Sequence, residues 1–136
     1  MLLIADRCRA LLDAGVAPSS IAVLYGARAA GGFEWTRPLL AALRSRRVPV
    51  YWVTDPDHDE NRDHVGEETS RIVLSTIHSA KGLEFSHVLM CGYLDDRPPA
   101  DRVLSRRLIY VGMTRATHEL VLTASGNHEF IADLET

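Results

Sequence analysis

The sequence predicts an α/β fold: a parallel sheet of about five strands between flanking helices, a three-layer sandwich. Three observations carry this. Ile21-Ala22-Val23-Leu24-Tyr25 is a continuous apolar run, which suits a strand covered on both faces. Short apolar runs of this kind alternate with segments of helical period, the signature of parallel strands joined by crossovers. The third run, Ile72-Val73-Leu74, turns abruptly small and polar at Ser75-Thr76 and leads into a glycine. In open α/β sheets ligand loops begin beyond the carboxyl ends of strands.

The elements follow in order. Residues 2–14 carry Leu3, Ile4, Leu11 and Leu12 at helical spacing and stop at Gly15. The strand of residues 21–25 ends at Gly26, and residues 27–35 read as a Gly/Ala loop holding Phe33 and Trp35. Those two aromatics suit packing under the loop, or stacking against a base. Thr36 is placed to cap a helix running to about Arg47, with Leu39, Leu40 and Leu43 facing inward and Pro38 in the first turn. Val48 to Val53 is a second strand, Arg71 to Ile77 a third, and His87 to Cys91 a fourth. Asp101 to Ala116 reads as a helix, Glu119 to Ala124 as a fifth strand, and 127–134 as a short closing helix.

Composition fits one ordinary globular domain of 136 residues, 46% hydrophobic and 24% charged. The net charge of −3 alone argues against a nucleic-acid binder, but it is uneven. Residues 55–68 hold seven acids and one Arg, so the rest of the chain is positive. His58 and His64 lie within that acidic run without any sharp metal-ligand spacing, and no metal site is expected there. Cys8 and Cys91 sit in apolar periodic segments and are expected to be buried and reduced. His87, His118 and His128 stand singly and call for no function. No signal peptide and no apolar run of membrane-spanning length is visible, so the chain is expected in the cytoplasm, away from membranes.

Two segments carry chemistry. The first is Ser75-Thr76-Ile77-His78-Ser79-Ala80-Lys81-Gly82-Leu83-Glu84-Phe85. Lys81 is the single lysine beside fourteen arginines, and a compact point charge is not interchangeable with a planar fork. Because Lys81 is followed by Gly82, the chain cannot build a Walker A phosphate loop, which needs Ser or Thr there. Thr76, His78 and Ser79 offer side-chain donors to phosphate oxygens, Lys81 adds charge, and Gly82 permits close backbone approach. Glu84 suits a ribose hydroxyl better than a phosphate. A plain polar turn with a solvated Lys81 would show the same residues.

The second segment is Arg106-Arg107-Leu108-Ile109-Tyr110-Val111-Gly112-Met113-Thr114-Arg115-Ala116. Leu104, Leu108 and Val111 form an i, i+4, i+7 stripe, and Arg115 extends it. A charge on an inner face needs a partner or an open cleft, so Arg115 is expected in a crevice; otherwise its stem lies along the core and its guanidinium reaches water.

These two segments, in this order, resemble motifs V and VI of superfamily 1 DNA helicases of the UvrD/Rep/PcrA type. The strand–helix–strand through Leu43 and Val48-Pro49-Val50 is similar to what precedes motif V in that family, so the resemblance spans about residues 19–124. It implies the second RecA-like domain, called 2A, with a P-loop-NTPase-type sheet. The upstream phosphate-loop domain would be missing, making residues 1–136 a C-terminal piece of a longer chain. Residues 54–70 would replace the inserted 2B domain of larger members. The family's Asn-Tyr-Arg-Ser element is absent, and its Tyr-Arg after the first strand is Tyr25-Gly26 here.

The resemblance also implies roles. ATP with Mg²⁺ would sit between this domain and an N-terminal RecA-like domain that supplies the Mg²⁺ ligands. Arg115 would be the catalytic arginine finger, and Gly82, Glu84 and Arg115 would line the nucleotide. Thr76, His78 and Lys81 would contact single-stranded DNA. The alternative is a catalytically retired RecA-like domain used for protein or nucleic-acid docking.

Overall fold

The structure is a computed structural model. It describes residues 2–25, 32–53, 70–77, 79–80, 82–94 and 102–124, with the backbone alone at 32–35, 92–94, 102–106, 108 and 124. The elements are α1 (Leu2–Asp13), β1 (Ile21–Tyr25), α2 (Gly32–Ser45), β2 (Val50–Trp52), β3 (Ile72–Thr76), β4 (Phe85–Leu94), α3 (Arg102–Met113) and β5 (Ala116–Ala124). The strands form a five-stranded sheet in the order β2-β3-β1-β4-β5, and every neighbouring pair is parallel. The expected α/β class is therefore what the chain adopts.

The central strand β1 is buried along its whole length, as its unbroken apolar run requires. Its alternate side chains serve two cores. Ile21, Val23 and Tyr25 pack with Ile4, Ala5, Cys8 and Leu11 of α1 and with Leu39, Ala42 and Leu43 of α2. Ala22 and Leu24 pack on the other face with Ile77, Ala80, Phe85, Val88, Met90 and Ile109. So α1 and α2 cover one face of the sheet, and α3 with the segment between β3 and β4 covers the other. On the first face the Trp52 indole N–H donates to the buried Tyr25 hydroxyl at 2.9 Å.

Several boundaries differ from expectation. In α1 the buried set is Ile4, Ala5, Cys8 and Leu11, whereas Leu3 points to solvent with 72% exposure. The helix predicted from Thr36 begins at Gly32, so residues 32–35 are helical and Thr36 is a buried interior residue, not a cap. Pro38 accordingly lies inside α2 and not in its first turn. Strand β4 extends to Phe85–Leu94 and β5 starts at Ala116, because ladder pairing to a neighbour outweighs local polarity at His87, His118 and Glu119. The acidic run, the rest of the Gly/Ala loop and the closing helix at 127–134 lie outside the described residues.

Helix α3 ends at Met113, and the residues it turns to the sheet are Ile109 and Gly112, with Val111 and Met113 packed more shallowly. The predicted stripe thus holds at Val111 only in part; the side chains of Leu104 and Leu108 lie outside the described set. Gly112 sets the approach of the helix. A Cβ there would stand 2.7 Å from Met90 Cε and 2.8 Å from Ile77 Cδ1. Both are ends of flexible side chains, so a single methyl is met by small shifts and by the roughly 1 kcal/mol helix gain of Ala over Gly. Gly112→Ala is expected to be near neutral in urea unfolding. Gly112→Val, with two more carbons in the same space, is expected to lose about 2 kcal/mol.

Both cysteines are buried thiols outside any disulfide, and the Cys91 thiol donates to the Leu24 carbonyl at 3.6 Å. Desolvation pushes the Cys8 thiol up from 9.0 to about 12. Above pH 9 the unfolded chain releases this proton while the folded chain keeps it, so stability falls as pH rises from 9 towards 12 and is indifferent to this group below 9. Between pH 8 and 10.5 the wild-type chain should lose about 2 kcal/mol more stability than Cys8→Ala, measured by urea unfolding at both pH values.

Candidate nucleotide and DNA site

The first chemical segment is a crossover on the α3 side of the sheet. It leaves β3 at Thr76, its carboxyl end, and enters β4 at Phe85, its amino end. Tyr25 is level with Thr76, and Ile21 with His87. The two ends of the segment are therefore about 20 Å apart along the strands at roughly 3.3 Å per residue. Its inward residues are Ile77, Ala80 and Phe85, all buried, with Leu83 partly so. Thr76 and Ser79 are half-buried, and Gly82 and Glu84 are exposed.

Local hydrogen bonds fix the first half. The Ser79 N–H donates to Thr76 Oγ1 at 3.2 Å, and the Ala80 N–H to the carbonyls of Thr76 and Ile77 at 3.1 Å each. Thr76 Oγ1 accepts a bond here and still has its own proton to donate outward. The Leu83 N–H bonds to the Ala80 carbonyl at 3.1 Å. Gly82 has φ +81°, and a Cβ there would meet nothing within 4 Å. Glycine is thus required by the backbone, and the space above it is open. His78 and Lys81 lie outside the described residues.

Arg115 stands in the turn between α3 and β5, half-buried, and not on the helical stripe. Its Nε donates to the Val111 carbonyl at 3.2 Å and its Nη2 approaches Thr114 Oγ1 at 3.3 Å. A guanidinium folded back on the last carbonyls of a helix is in the favourable field of the helix C-terminus. Among the described residues neither Arg115 nor Glu84 forms an ion pair. The Arg115 carbonyl accepts the Phe85 N–H at 2.8 Å, which joins the residue after Glu84 directly to Arg115. Glu84 and Arg115 therefore share the amino ends of β4 and β5, with Gly82 two residues before Glu84. The segment was expected beyond a carboxyl end; Thr76 stands there, whereas Glu84 does not.

Two features escaped sequence reading. Gly112 had no assigned role, although a glycine inside a helical run is the ordinary signal of close packing. His87 and His118, read as single residues, are brought to 5.1 Å between ring centres by the β4–β5 pairing. Glu119 lies opposite His87, and its carboxyl is held below the usual range by the Arg7 guanidinium, with the two histidines adding to it. No group of three or more metal-ligating side chains is assembled among the described residues. No described helix is long and apolar enough to cross a membrane.

Comparison with known proteins bears on the family and the fold. ATP-dependent DNA helicase PcrA of Bacillus subtilis is 38% identical over 79 residues, 52% of this chain and 11% of that protein. UvrD1 of Mycobacterium leprae is 43% identical over 70 residues, covering 45% and 9%, and Rep of Escherichia coli 41% over 64 residues, covering 42% and 10%. The chain thus matches about a tenth of the length of these relatives. The C-terminal domain of a possible DNA helicase from Lactobacillus plantarum superposes with TM-score 0.60 at 22% identity, over 92% of this chain and 66% of that one, a likeness of fold. The model of the UvrD-like helicase C-terminal domain matches residues 54–127, more than half of the chain, and with the parallel sheet and the ordered pair of motifs this places the chain in the UvrD-like helicase C-terminal domain family.

Proposed function

We propose that this domain is the 2A half of an ATP-dependent superfamily 1 DNA helicase or translocase, of the compact type in which residues 54–70 stand where larger members insert a 2B domain. The observation that carries the reading is the crossover itself: it has Thr76 at the carboxyl end of the sheet and Glu84 at the amino end, where the Phe85 N–H bond joins it to Arg115. Two ligands, one at each end, would be felt by the same piece of backbone.

In this reading ATP with Mg²⁺ lies between this domain and an N-terminal RecA-like domain carrying the phosphate loop. The residues fit such a ligand: an exposed carboxylate, an open positive-φ glycine and a guanidinium without a carboxylate partner among the described residues. Glu84 accepts from ribose hydroxyls, Gly82 lets backbone come close, and Arg115 swings from the Val111 carbonyl to the γ-phosphate. Leaving that carbonyl costs about 1 kcal/mol, small beside what a finger contributes to phosphoryl transfer. Thr76, with His78 and Lys81, holds the single-strand phosphate backbone. A shift of the crossover transmits nucleotide state to that grip, a two-state coupling of cleft and loop.

The 136-residue chain by itself is expected to release no phosphate from ATP, with or without single-stranded DNA, since its one lysine is not in a phosphate loop. In the intact helicase, Arg115→Ala should lower kcat for ATP by roughly a thousandfold while nucleotide Kd changes little, because a finger acts on charge that develops in the transition state. Arg115→Lys should recover only part of the rate. Stability should fall by about 1 kcal/mol at most, the worth of the Val111 bond. Measured kcat, Kd and Tm decide the matter: near-normal turnover with a collapsed Tm would make Arg115 a helix cap and nothing more.

A further inference from the structure

Helices α1 and α2 end in the same way. At the end of α1 the Gly15 N–H bonds to the Leu12 carbonyl at 3.1 Å and the Val16 N–H to the Leu11 carbonyl at 3.0 Å. At the end of α2 the Arg47 N–H bonds to the Arg44 carbonyl and the Val48 N–H to the Leu43 carbonyl, both at 3.0 Å. Each is a Schellman motif, with a buried apolar pair, Val48 and Leu43, completing the second. The motif requires a left-handed residue after the helix. Gly15 takes φ +91°, whereas Arg47 takes φ 56° and is the only non-glycine with positive φ among the described residues. A side chain there is strained, and the same chain uses glycine for the same job 32 residues earlier.

What the strained residue presents is charge. Arg44, Arg46 and Arg47 are all exposed at this end of α2, and the Arg9 side chain reaches across from α1 to donate to the Arg47 carbonyl at 3.0 Å. Arg9 also pairs with Asp13 and Arg46 with Asp6, which lock the scaffold. Arg44 and Arg47 form no ion pair among the described residues. The large apolar side chains exposed among the described residues, Leu2, Leu3 and Tyr110, lie at the start of α1 and on the far face, not here. A patch of planar cations without an apolar centre suits a phosphate backbone and not a protein interface.

We infer that Arg44 and Arg47 form a second nucleic-acid contact, which binds phosphodiester backbone on the α1–α2 face, opposite the crossover that carries Thr76. The contact is sequence-independent and acts through counterion release. It does not depend on the motor reading, because it lies on the other side of the sheet from Glu84 and Arg115.

The test uses the 136-residue chain with a fluorescent 20-base-pair duplex and a 20-nucleotide single strand, titrated by anisotropy from 50 to 200 mM salt. Arg44→Ala/Arg47→Ala leaves the Arg9 and Arg46 ion pairs in place, and should weaken binding about tenfold at 50 mM. It should also reduce the salt slope by about 1.8 on duplex, or about 1.4 on single strand, whichever the patch prefers. Arg107→Ala, which removes an exposed charge from α3 on the other face, should keep the part of the slope that Arg44→Ala/Arg47→Ala removes. Arg47→Gly relieves the left-handed strain, so its Tm should rise by about 3 °C while affinity falls. An unchanged slope in the double variant overturns the inference, as does absence of wild-type binding at 50 mM. So does an Arg47→Gly variant that loses Tm and keeps its affinity, or a polyglutamate peptide that displaces DNA as well as unlabelled duplex does.

Discussion

The Phe85 N–H to Arg115 C=O bond is the contact on which the arrangement of this domain turns. It is a backbone bond between the first residue of β4 and the residue that precedes β5, so it fixes where two edge-side strands begin. Both chemical segments end at it. The crossover that starts at Thr76 delivers Glu84 to one side of the bond, and the helix that carries Gly112 delivers Arg115 to the other. A shift in the start of either strand would separate the carboxylate and the guanidinium by one or more residues of rise, and a one-residue slip would also turn side chains to the opposite face.

The segment between β3 and β4 can hold that position because it is packed as tightly as a strand. Its described residues form no regular helix, yet Ile77 and Ala80 are buried in one cluster with Phe85, Val88 and Met90 of β4 and Ala22 and Leu24 of β1. Parallel strands require a crossover that covers the sheet. Here the cover is also the first motif, and among its described residues the exposed ones are Gly82 and Glu84. Helix α3 locks it from above. Gly112 lets the helix descend until it touches Ile77, the residue after Thr76, and Met90 in the strand beneath. The two motifs thus share one core, and displacement of either is resisted by the other.

The opposite face has a different economy. There α1 and α2 supply most of the larger core cluster and are closed by matching helix ends. Surface ion pairs among Asp6, Arg9, Asp13 and Arg46 add little stability singly, but they hold guanidinium groups in fixed places. A face that is structurally complete can carry a strained arginine at its margin, since the buried Val48–Leu43 pair and two backbone bonds over-determine the turn.

How much was legible beforehand depended on the reach of the forces involved. The apolar run of residues 21–25 specified a strand covered on both sides, and the alternation of periods specified a parallel α/β sheet, because burial and periodicity are local signals. The polar residues of 75–85 and the terminal arginine of the second motif announced chemistry by residue type. Sequence misjudged Leu3, the start of α2 at Gly32 and the orientation of α3, since neighbours three-dimensionally close but distant in sequence choose which side of a helix is buried. It misplaced Arg115 on a stripe, because the end of the helix is set by strand β5 pairing with β4 from Ala116 onward. Residue identity by itself determined what groups were available: one lysine, a lone carboxylate beside a glycine, a guanidinium after a helix. Only the tertiary structure decided that Glu84 and Arg115 meet at the amino ends of the strands while Thr76 stands about 20 Å away, because strand direction and register are properties of pairing between segments, not of any segment alone.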